Sequence, residues 1–457
     1  MIASAETQRF DPEYFKKQHL VDAAHAKSNP QQFVTFEQLN LRVDGSAFYP
    51  GIEEYYGQGY LPFLRVADVD SIIDFEGCTR IPTELCDRFN TLARVHPGDI
   101  VFTKGGSIAR IGLVTREAAA SRDLIFLDSS KLSEPDRIFI YLYFQTGFFN
   151  RMLVRSSSQT AQPHLTITLV RNLPVFLGSD AFKKQCLKLV QDSYAKRKQS
   201  LELQAQAEQT LLRALGLEGW QPPEPLTYTR PASEALAAKR LDSDFFAPAR
   251  YATLEKLAAM PHRILSDCCA SIRELLDPTK LQGIDAVRNF DVTDALKPSL
   301  DDAKEIVDVE ELGSTKKIMK PGDVVISRLR SYLRQIAVVR TSKLVPTVGS
   351  TEFIVLRPHK GISPELLMVF LRSQPVQTIL KYCQEGNQHP RFGESNLLEI
   401  PFPEVLLEHS EEIITHIREA HAARQQAQAL LAKAKRAVEV AIEEGEAAAI
   451  KFLQQNG

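Results

Sequence analysis

VHPGDIVF, which spans residues 95–102, returns as MKPGDVVI at residues 319–326. In both copies a Pro-Gly-Asp turn leads into a β-branched run, which predicts a turn followed by a strand. Two further pairs flank it: RFDPEYF (9–15) with RLDSDFF (240–246), and NLPVF (172–176) with EIPFP (399–403). The pairs keep their order and nearly their spacing. We therefore predict a tandem duplication of a unit of roughly 225 residues.

The composition is that of a soluble globular protein. Of 457 residues, 44% are hydrophobic and 25% are charged, and this length suggests two or three domains. The sequence contains no secretory signal and no charge-free stretch long enough for a transmembrane helix, so we expect no membrane partner. The six cysteines include no Cys-x-x-Cys pair, which argues against a zinc ribbon or a disulfide scaffold and favours free thiols in the cytoplasm.

Each copy is predicted to be an α+β globule, rich in β-strands with some helix, followed by a long helix. Helices are expected at 135–147 and 363–373, and strands at 111–114 and 336–339. The predicted order along the chain is a first globule at 1–178, a long helix at 179–217, a Pro-rich linker at 218–234, a second globule at 235–403 and a second long helix at 404–457.

Both long helices carry apolar or small residues at alternating spacings of three and four, which is typical of a coiled-coil seam. Each seam is interrupted by an arginine at the corresponding place, Arg197 and Arg424. The nearest partner for each helix is the other copy, although each could instead lie on its own globule. The predicted contact positions are Leu187, Val190, Tyr194, Leu201, Leu211, Ile413, Ile417, Leu431 and Val438.

A duplicated globule with a stiff spacer is a pseudo-dimer within one chain, and it suits a target with two separated half-sites. Duplex DNA is such a target, because half-sites about one helical turn apart face the same side. The two copies have diverged, so the half-sites need not be palindromic. The net charge of −2 means that DNA binding would have to rest on local clusters of basic residues.

With these features the chain resembles the specificity subunits of type I restriction-modification systems. The resemblance rests on the two Pro-Gly-Asp strands, on the openings Arg9–Phe15 and Arg240–Phe246, and on the globule ends Gln159–Leu165 and Gly386–Phe392. It implies two target recognition domains, at 1–178 and 235–403, that each read half of a bipartite asymmetric DNA site. It also implies a pseudo-twofold arrangement in which the long helices form an antiparallel coiled coil that sets the spacing.

The same resemblance implies the partners and the absence of catalysis. A specificity subunit of this family is not itself an enzyme: it docks two methyltransferase subunits, and a restriction-translocase subunit joins them. We therefore expect no cofactor and no metal on this chain, with S-adenosylmethionine and ATP bound only by partner subunits.

Basic and polar segments supply the candidate DNA contacts. After the first Pro-Gly-Asp strand come Lys104, Gly105, Gly106, Ser107 and Arg110, and after the second come Arg328, Arg330, Tyr332 and Arg334. Near the globule ends lie Gln159, Gln162 and His164 in the first copy, and Asn387, Gln388, His389 and Arg391 in the second. Glycine backbone can approach phosphate closely, arginine can read guanine or hold phosphate, and Gln or Asn can pair with adenine. The same residues could equally form solvated strand edges and turns.

Other functions remain open at this stage. The sequence contains no phosphate-binding loop, no His-Glu-x-x-His site and no Asn/Asp-Pro-Pro-Tyr/Phe motif of an aminomethyltransferase. Asp302 and Lys304 have a spacing found in metal-dependent nucleases, but they lie in a charged segment typical of a surface loop. Pro-Gly-Asp strands also occur in signal-peptidase-like folds with a Ser-Lys pair. The alternatives kept are a coiled-coil scaffold that binds only proteins and the specificity subunit of a related defence system.

Overall fold

A computed structural model of the chain describes residue 12 and residues 14–39, 41–47, 51–71, 73, 75, 77–104, 110–157, 165–280, 283–386 and 388–455. The chain forms two compact units. The first comprises residues 1–195 and 426–457, and the second comprises residues 196–425. Each unit mixes helices and β-sheets, so the predicted α+β class is confirmed. In the described part of the chain, no helix combines the length and the apolar character needed to cross a bilayer.

Up to the end of the first long helix, the chain contains ten short strands and six α-helices among the described residues. The strands are β1 (Phe33–Thr35), β2 (Arg42–Gly45), β3 (Leu61–Leu64), β4 (Arg80–Ile81), β5 (Arg94–Val95), β6 (Ile100–Thr103), β7 (Ile111–Leu113), β8 (Ala118–Ala120), β9 (Leu124–Asp128) and β10 (Pro174–Phe176). The helices are α1 (Lys17–Ser28), α2 (Leu85–Arg88), α3 (Glu134–Phe144), α4 (Gly147–Ser156), α5 (Ile167–Arg171) and α6 (Asp180–Ala214).

The rest of the chain has the same character. Its strands are β11 (His262–Ile264), β12 (Cys269–Ile272), β13 (Leu275–Leu276), β14 (Ala286–Phe290), β15 (Ser299–Asp301), β16 (Ile306–Asp308), β17 (Lys316–Met319), β18 (Val324–Ser327), β19 (Ile336–Arg340), β20 (Thr347–Gly349), β21 (Phe353–Pro358) and β22 (Pro401–Pro403). Its helices are α7 (Ala232–Ala238), α8 (Pro248–Ala258), α9 (Leu265–Cys268), α10 (Pro364–Arg372), α11 (Gln374–Tyr382), α12 (Glu394–Leu398), α13 (Val405–Glu408), α14 (Ser410–Glu444) and α15 (Glu446–Gln455).

The sheets of the two units have the same strand order. In the first unit, an antiparallel sheet runs β2-β9-β6-β7 and a mixed sheet runs β4-β3-β8-β5, with β3 and β8 parallel. In the second unit, the order β12-β21-β18-β19 gains β15 at one edge. The order β16-β14-β20-β17, with β14 and β20 parallel, gains β13. Each unit also has a two-stranded antiparallel sheet, formed by β1 and β10 in the first unit and by β11 and β22 in the second. The strand order of the first unit therefore recurs in the second.

A tight turn precedes the central strand in both units. The N–H of Asp99 donates to the carbonyl of His96 (3.0 Å), and the Asp99 carboxylate accepts from the N–H of His96 (2.8 Å). Asp323 makes the same two bonds, at 3.0 and 2.8 Å, with the residue three before it. The glycines Gly98 and Gly322 have φ values of +101° and +91°, as position i+2 of a type II turn requires. The repeated Pro-Gly-Asp motif therefore builds the turn.

These two glycines provide a test of the turn. Gly322→Ala is expected to lower the free energy of unfolding by about 1–2 kcal/mol, because the added Cβ is disfavoured at positive φ but meets open space. Gly98→Ala should cost more, since its Cβ would lie 2.5 Å from Nη1, 2.9 Å from Cζ and 3.0 Å from Cδ of Arg137, so more than the tip of that side chain must move. Urea unfolding of both variants measures the difference. Wild-type stability in both variants would contradict this account of the turn.

The strand after each turn is buried on both faces. In the first unit, Phe102 packs among aromatic side chains on one face, with its ring centroid 5.0 Å from that of Phe144, while Val101 packs on the opposite face. In the second unit, Val324 and Val325 likewise enter different clusters. A strand covered on both sides has a continuous apolar sequence. The residue that follows it is thereby held at a fixed place at the end of the sheet.

The long helices α6 and α14 contact each other within each unit. In the first unit, Oγ of Ser193 on α6 donates to the carbonyl of Ala427 on α14 (2.7 Å), and the carboxylate of Glu446, the first residue of α15, accepts from the N–H of Ser179, which directly precedes α6 (2.6 Å). The residue numbers run in opposite directions, so the paired segments are antiparallel. In the second unit, Oγ1 of Thr210 donates to Glu412 (3.1 Å). Each unit thus packs a part of both helices against its own sheets.

Most predicted contact positions on these helices are buried or half-buried, but Leu201 is not. Leu201 has 58% of its surface exposed, whereas its neighbour Ser200 is buried. The buried face of α6 includes Ser193, Ser200 and Thr210, whose small side chains allow the helices to approach closely. Leu201 lies outside the buried face because Ser193, Ser200 and Ala207 are the buried positions of this stretch, one residue away from the register at 194, 201 and 208 that the spacing of three and four predicted.

Two predicted segment boundaries also change. The second long helix, predicted at 404–457, is divided into α13, α14 and α15, and Gly445, with a φ of +92°, separates the last two. Glycine after a helix C-terminus adopts this conformation without a Cβ penalty. The Pro-rich linker, predicted at 218–234, is shorter than expected because α7 begins at Ala232, directly after Pro231.

Candidate nucleic-acid interface

In the first unit, the candidate site begins at Lys104, directly after β6. The N–H of Lys104 donates to the carbonyl of Asp123 (2.8 Å), and its carbonyl accepts from the N–H of Leu165 (3.0 Å). The exposed Arg110 directly precedes the return strand β7, and its N–H donates to Oγ1 of Thr103 (3.1 Å). The predicted contacts Gly105, Gly106, Ser107, Gln159, Gln162 and His164 lie outside the described residues. Lys104, at the end of β6, is thus hydrogen-bonded to Leu165, the residue that follows the predicted polar segment 159–164.

The second unit repeats this arrangement at Arg328, directly after β18. The N–H of Arg328 donates to the carbonyl of Glu352 (3.0 Å), and its carbonyl accepts from the N–H of Phe392 (3.2 Å). Leu329 also pairs with Arg391 in an isolated β-bridge. The structure therefore brings together the two segments that the sequence analysis treated separately, the stretch after the strand and the loop before Phe392. Asn387 of that loop lies outside the described residues.

Glu352 is the centre of an ionic array in the second unit. Its carboxylate accepts three hydrogen bonds from Nε and Nη2 of Arg391 at 2.7–3.1 Å, and one from Nε of Arg328 at 3.0 Å. Nη1 of Arg391 donates to the carbonyl of His389 (3.0 Å). Hydrogen bonds from Arg391 hold the pKa of Glu352 below its ordinary value against the opposing effect of burial, and Arg328 lowers it further.

This array has a defined pH dependence. Because the folded-state pKa of Glu352 is lowered, its contribution to stability is complete above the unfolded pKa of about 4.3 and is lost as the pH falls through the folded value. We expect the unfolding free energies of the wild type and Glu352→Gln to differ at pH 7 and to approach each other as the pH falls below about 4. Urea unfolding at several pH values measures the difference in unfolding free energy between the two proteins. A difference that does not change with pH would contradict the stabilisation of ionised Glu352 by the two arginines.

A short turn projects next to the array. Ser331–Leu333 forms one 3₁₀ turn, and the residues on either side, Arg330 and Arg334, both have positive φ, at 51° and 49°. Non-glycine residues in this region cost roughly 1–3 kcal/mol each and concentrate at ligand sites. The Ser331 hydroxyl accepts from Nε2 of Gln384 (2.8 Å), and Tyr332 at the tip is 58% exposed. The turn therefore presents an aromatic side chain between two arginines.

Both of these arginines make contacts within the protein. Nη2 of Arg330 lies 3.3 Å from the carbonyl of Gln388 and 3.2 Å from Nδ1 of His389. Nη1 of Arg334 lies 3.7 Å from the carboxylate of Glu208 on α6. Glu352 and Glu208 thus offset part of the positive charge in this cluster, which the sequence analysis described only by its basic residues. The cluster is a hydrogen-bonded array of donors and acceptors.

Sequence analysis missed Glu352, although the repeat contained a signal for it. Glu352 precedes β21, and Asp123 precedes the corresponding strand β9 of the first unit. Aligning the sequences of β9 and β21 would have paired these acidic residues. Their carbonyls make equivalent hydrogen bonds, to Arg328 and Lys104.

The nuclease-like spacing of Asp302 and Lys304 is explained by local packing. Asp302 pairs with Arg288 (2.7 Å) and accepts from the N–H of Ser342 (3.0 Å), while Lys304 pairs with Asp294 (2.9 Å). Within the described ranges, His, Cys, Asp and Glu side chains form no group of three that could hold a metal ion. All six cysteines are buried and have free thiols.

No family model and no curated protein sequence matches the chain. Among solved structures, it is similar to the type I restriction-modification S subunit from M. genitalium, with 11% identity, coverage of 88% of this chain and 94% of that one, and a TM-score of 0.37. It is similar to the HsdS subunit from Thermoanaerobacter tengcongensis, with 15% identity, 89% and 93% coverage and a TM-score of 0.25. A third similar chain comes from a structure on complex assembly of the type I restriction-modification system. Its identity is 15%, the match covers 88% of this chain and 97% of that one, and the TM-score is 0.26. Over 88–89% of its length, the chain is therefore similar to solved structures that are described as a type I restriction-modification S subunit and an HsdS subunit.

Proposed function

We propose that the chain is a non-catalytic DNA-recognition subunit of a type I restriction-modification complex. It reads a bipartite, asymmetric duplex site, with one half-site for the globule at 1–178 and the other for the globule at 235–403. It docks two methyltransferase subunits and a restriction-translocase subunit, and these partners bind the S-adenosylmethionine and the ATP. The complex works in the cytoplasm.

One observation carries the proposal. The same place in both units, directly after the Pro-Gly-Asp strand, holds a basic residue fixed by two backbone hydrogen bonds: Lys104 in one unit and Arg328 in the other. The carbonyl of each basic residue accepts from the N–H of the residue that follows a polar segment, Leu165 or Phe392, and the two polar segments differ in sequence. The two units therefore share a strand order but carry different side chains at the end of the central strand. This suits two domains that recognise different half-sites, because base pairs are distinguished by the hydrogen-bond donors and acceptors that contact them.

The sheets and helices support the duplicated architecture. The recurring strand order is what a tandem duplication would produce, and the antiparallel contacts of α6 with α14 suit an antiparallel coiled coil that fixes the distance between half-sites. Half-site spacing in a two-reader protein is a geometric property of the protein. The coiled coil is therefore the proposed ruler.

The direct test is selection of DNA by the purified full-length chain from a library of duplexes with a long randomised segment. The expected result is a consensus of two conserved blocks separated by a spacer of fixed length and unconserved sequence. A scaffold that binds only proteins would enrich no sequence, and one continuous block would contradict reading by two globules.

A further inference from the structure

The four arginines of the second site differ in how many guanidinium donors remain free. All three nitrogens of Arg391 donate to the protein, two to Glu352 and one to a carbonyl. Arg330 is tied to the loop through Nη2, and Arg334 is paired with Glu208. Arg328 is held only through Nε, and among the described residues its Nη1 and Nη2 have no acceptor.

Arg328 is also held in position. Its backbone is hydrogen-bonded on both sides, to Glu352 and to Phe392, and its Nε is fixed by the Glu352 carboxylate at 3.0 Å. The side chain is nevertheless 45% exposed. A guanidinium held at Nε presents its two Nη groups as a planar fork, and little further side-chain freedom is lost when that fork binds an acceptor pair.

Two acceptors in DNA match such a fork: the O6 and N7 atoms of guanine and the oxygens of a phosphate. Glu352 favours the base. Its carboxylate contacts Arg328 directly, so it offsets the charge that attracts a phosphate and repels a phosphate placed nearby.

We propose that Arg328 reads one guanine in the half-site of the second globule and that Glu352 is its positioning residue. This inference rests on the proposed DNA-recognition function. Arg391 and Arg330 hold the loop before Phe392 in place and make no contact with that base.

The experiment compares full-length variants by duplex selection and by salt-dependent binding to the selected duplex. Arg328→Ala and Arg328→Lys should each lower the preference for guanine at one position by about 10- to 100-fold. Because lysine keeps the charge but has no planar fork, Arg328→Lys should leave the salt dependence unchanged. Glu352→Gln should weaken the preference at the same position by a smaller factor, and other positions should be unaffected.

Arg263→Ala is the matched control. Arg263 is 44% exposed and is paired through Nε with Glu404 at 2.7 Å, but it lies on β11. This variant should select the wild-type consensus at every position. Circular dichroism of all variants checks that they are folded.

The outcomes separate the inference from the function on which it rests. If the wild type selects no consensus, the proposed function fails and the inference fails with it. If the wild type selects a consensus but Arg328→Ala keeps every positional preference, only the inference is overturned. Uniform weakening with Arg328→Ala, a salt slope lowered by about 1 and normal binding with Arg328→Lys would identify a phosphate contact instead.

Discussion

Replacing Asp323 by alanine is expected to lower the free energy of unfolding of the second unit by about 2–3 kcal/mol. The carboxylate is 1% exposed and accepts from the N–H of Lys320 at 2.8 Å and from Nε and Nη2 of Arg357 at 2.7 and 2.9 Å. Removing one partner of a buried pair costs about 3–5 kcal/mol because the other charge stays unpaired. The expected loss is smaller here, since Arg357 is 34% exposed and water can solvate it.

Asp99→Ala in the first unit is the matched control. Asp99 accepts from the N–H groups of His96 and Ser129, and burial raises its pKa. We therefore expect a smaller loss than at Asp323. Circular dichroism follows urea unfolding of the whole chain. The fluorescence of Trp220, the only tryptophan of the sequence and part of the second unit, reports on that unit. Equal losses in the two variants would contradict the role of Arg357.

Shortening the proposed ruler should change the selected DNA site. Deleting one heptad from each long helix, residues 196–202 of α6 and 419–425 of α14, removes about 10 Å from each helix while keeping the helix faces nearly in phase. The distance corresponds to about three base pairs. We expect duplex selection to give the same two blocks with a shorter spacer, or to lose the specific site altogether. An unchanged spacer would show that the helices do not set the distance between half-sites.

The deletion needs a control for folding. Substituting Leu201, which is exposed in the second unit, by glutamine should leave both stability and the spacer unchanged. Calorimetry of the deletion variant should still show a cooperative transition. Loss of that transition would mean that any loss of site selection came from unfolding.

Much of the fold was predictable from the repeat. The Pro-Gly-Asp motif marks a type II turn before a strand buried on both faces, and the local sequence alone specifies such a turn. Helices predicted at 135–147 and 363–373 correspond to α3 and α10. These elements depend on residues close together in the chain, so periodicity and turn residues were sufficient.

Other features depend on contacts between distant residues. Glu352 reaches Arg328 and Arg391 across gaps of 24 and 39 positions, and no local pattern links them. The basic residues of the candidate site were visible in the sequence, but the carboxylates that hold them were not. Leu201 fits the spacing of three and four in the sequence, but the folded chain buries Ser200 beside it, and the spacing alone could not distinguish these two registers.

The central claim is that each globule reads its own half-site, and an exchange within the chain tests it most directly. In the test chain, residues 1–178 are replaced by a second copy of residues 235–403, and duplexes are again selected from a randomised library. The account predicts that the half-site of the second globule appears twice and that the other half-site disappears. A consensus in which both wild-type blocks remain, or in which the block of the second globule also changes, would contradict it.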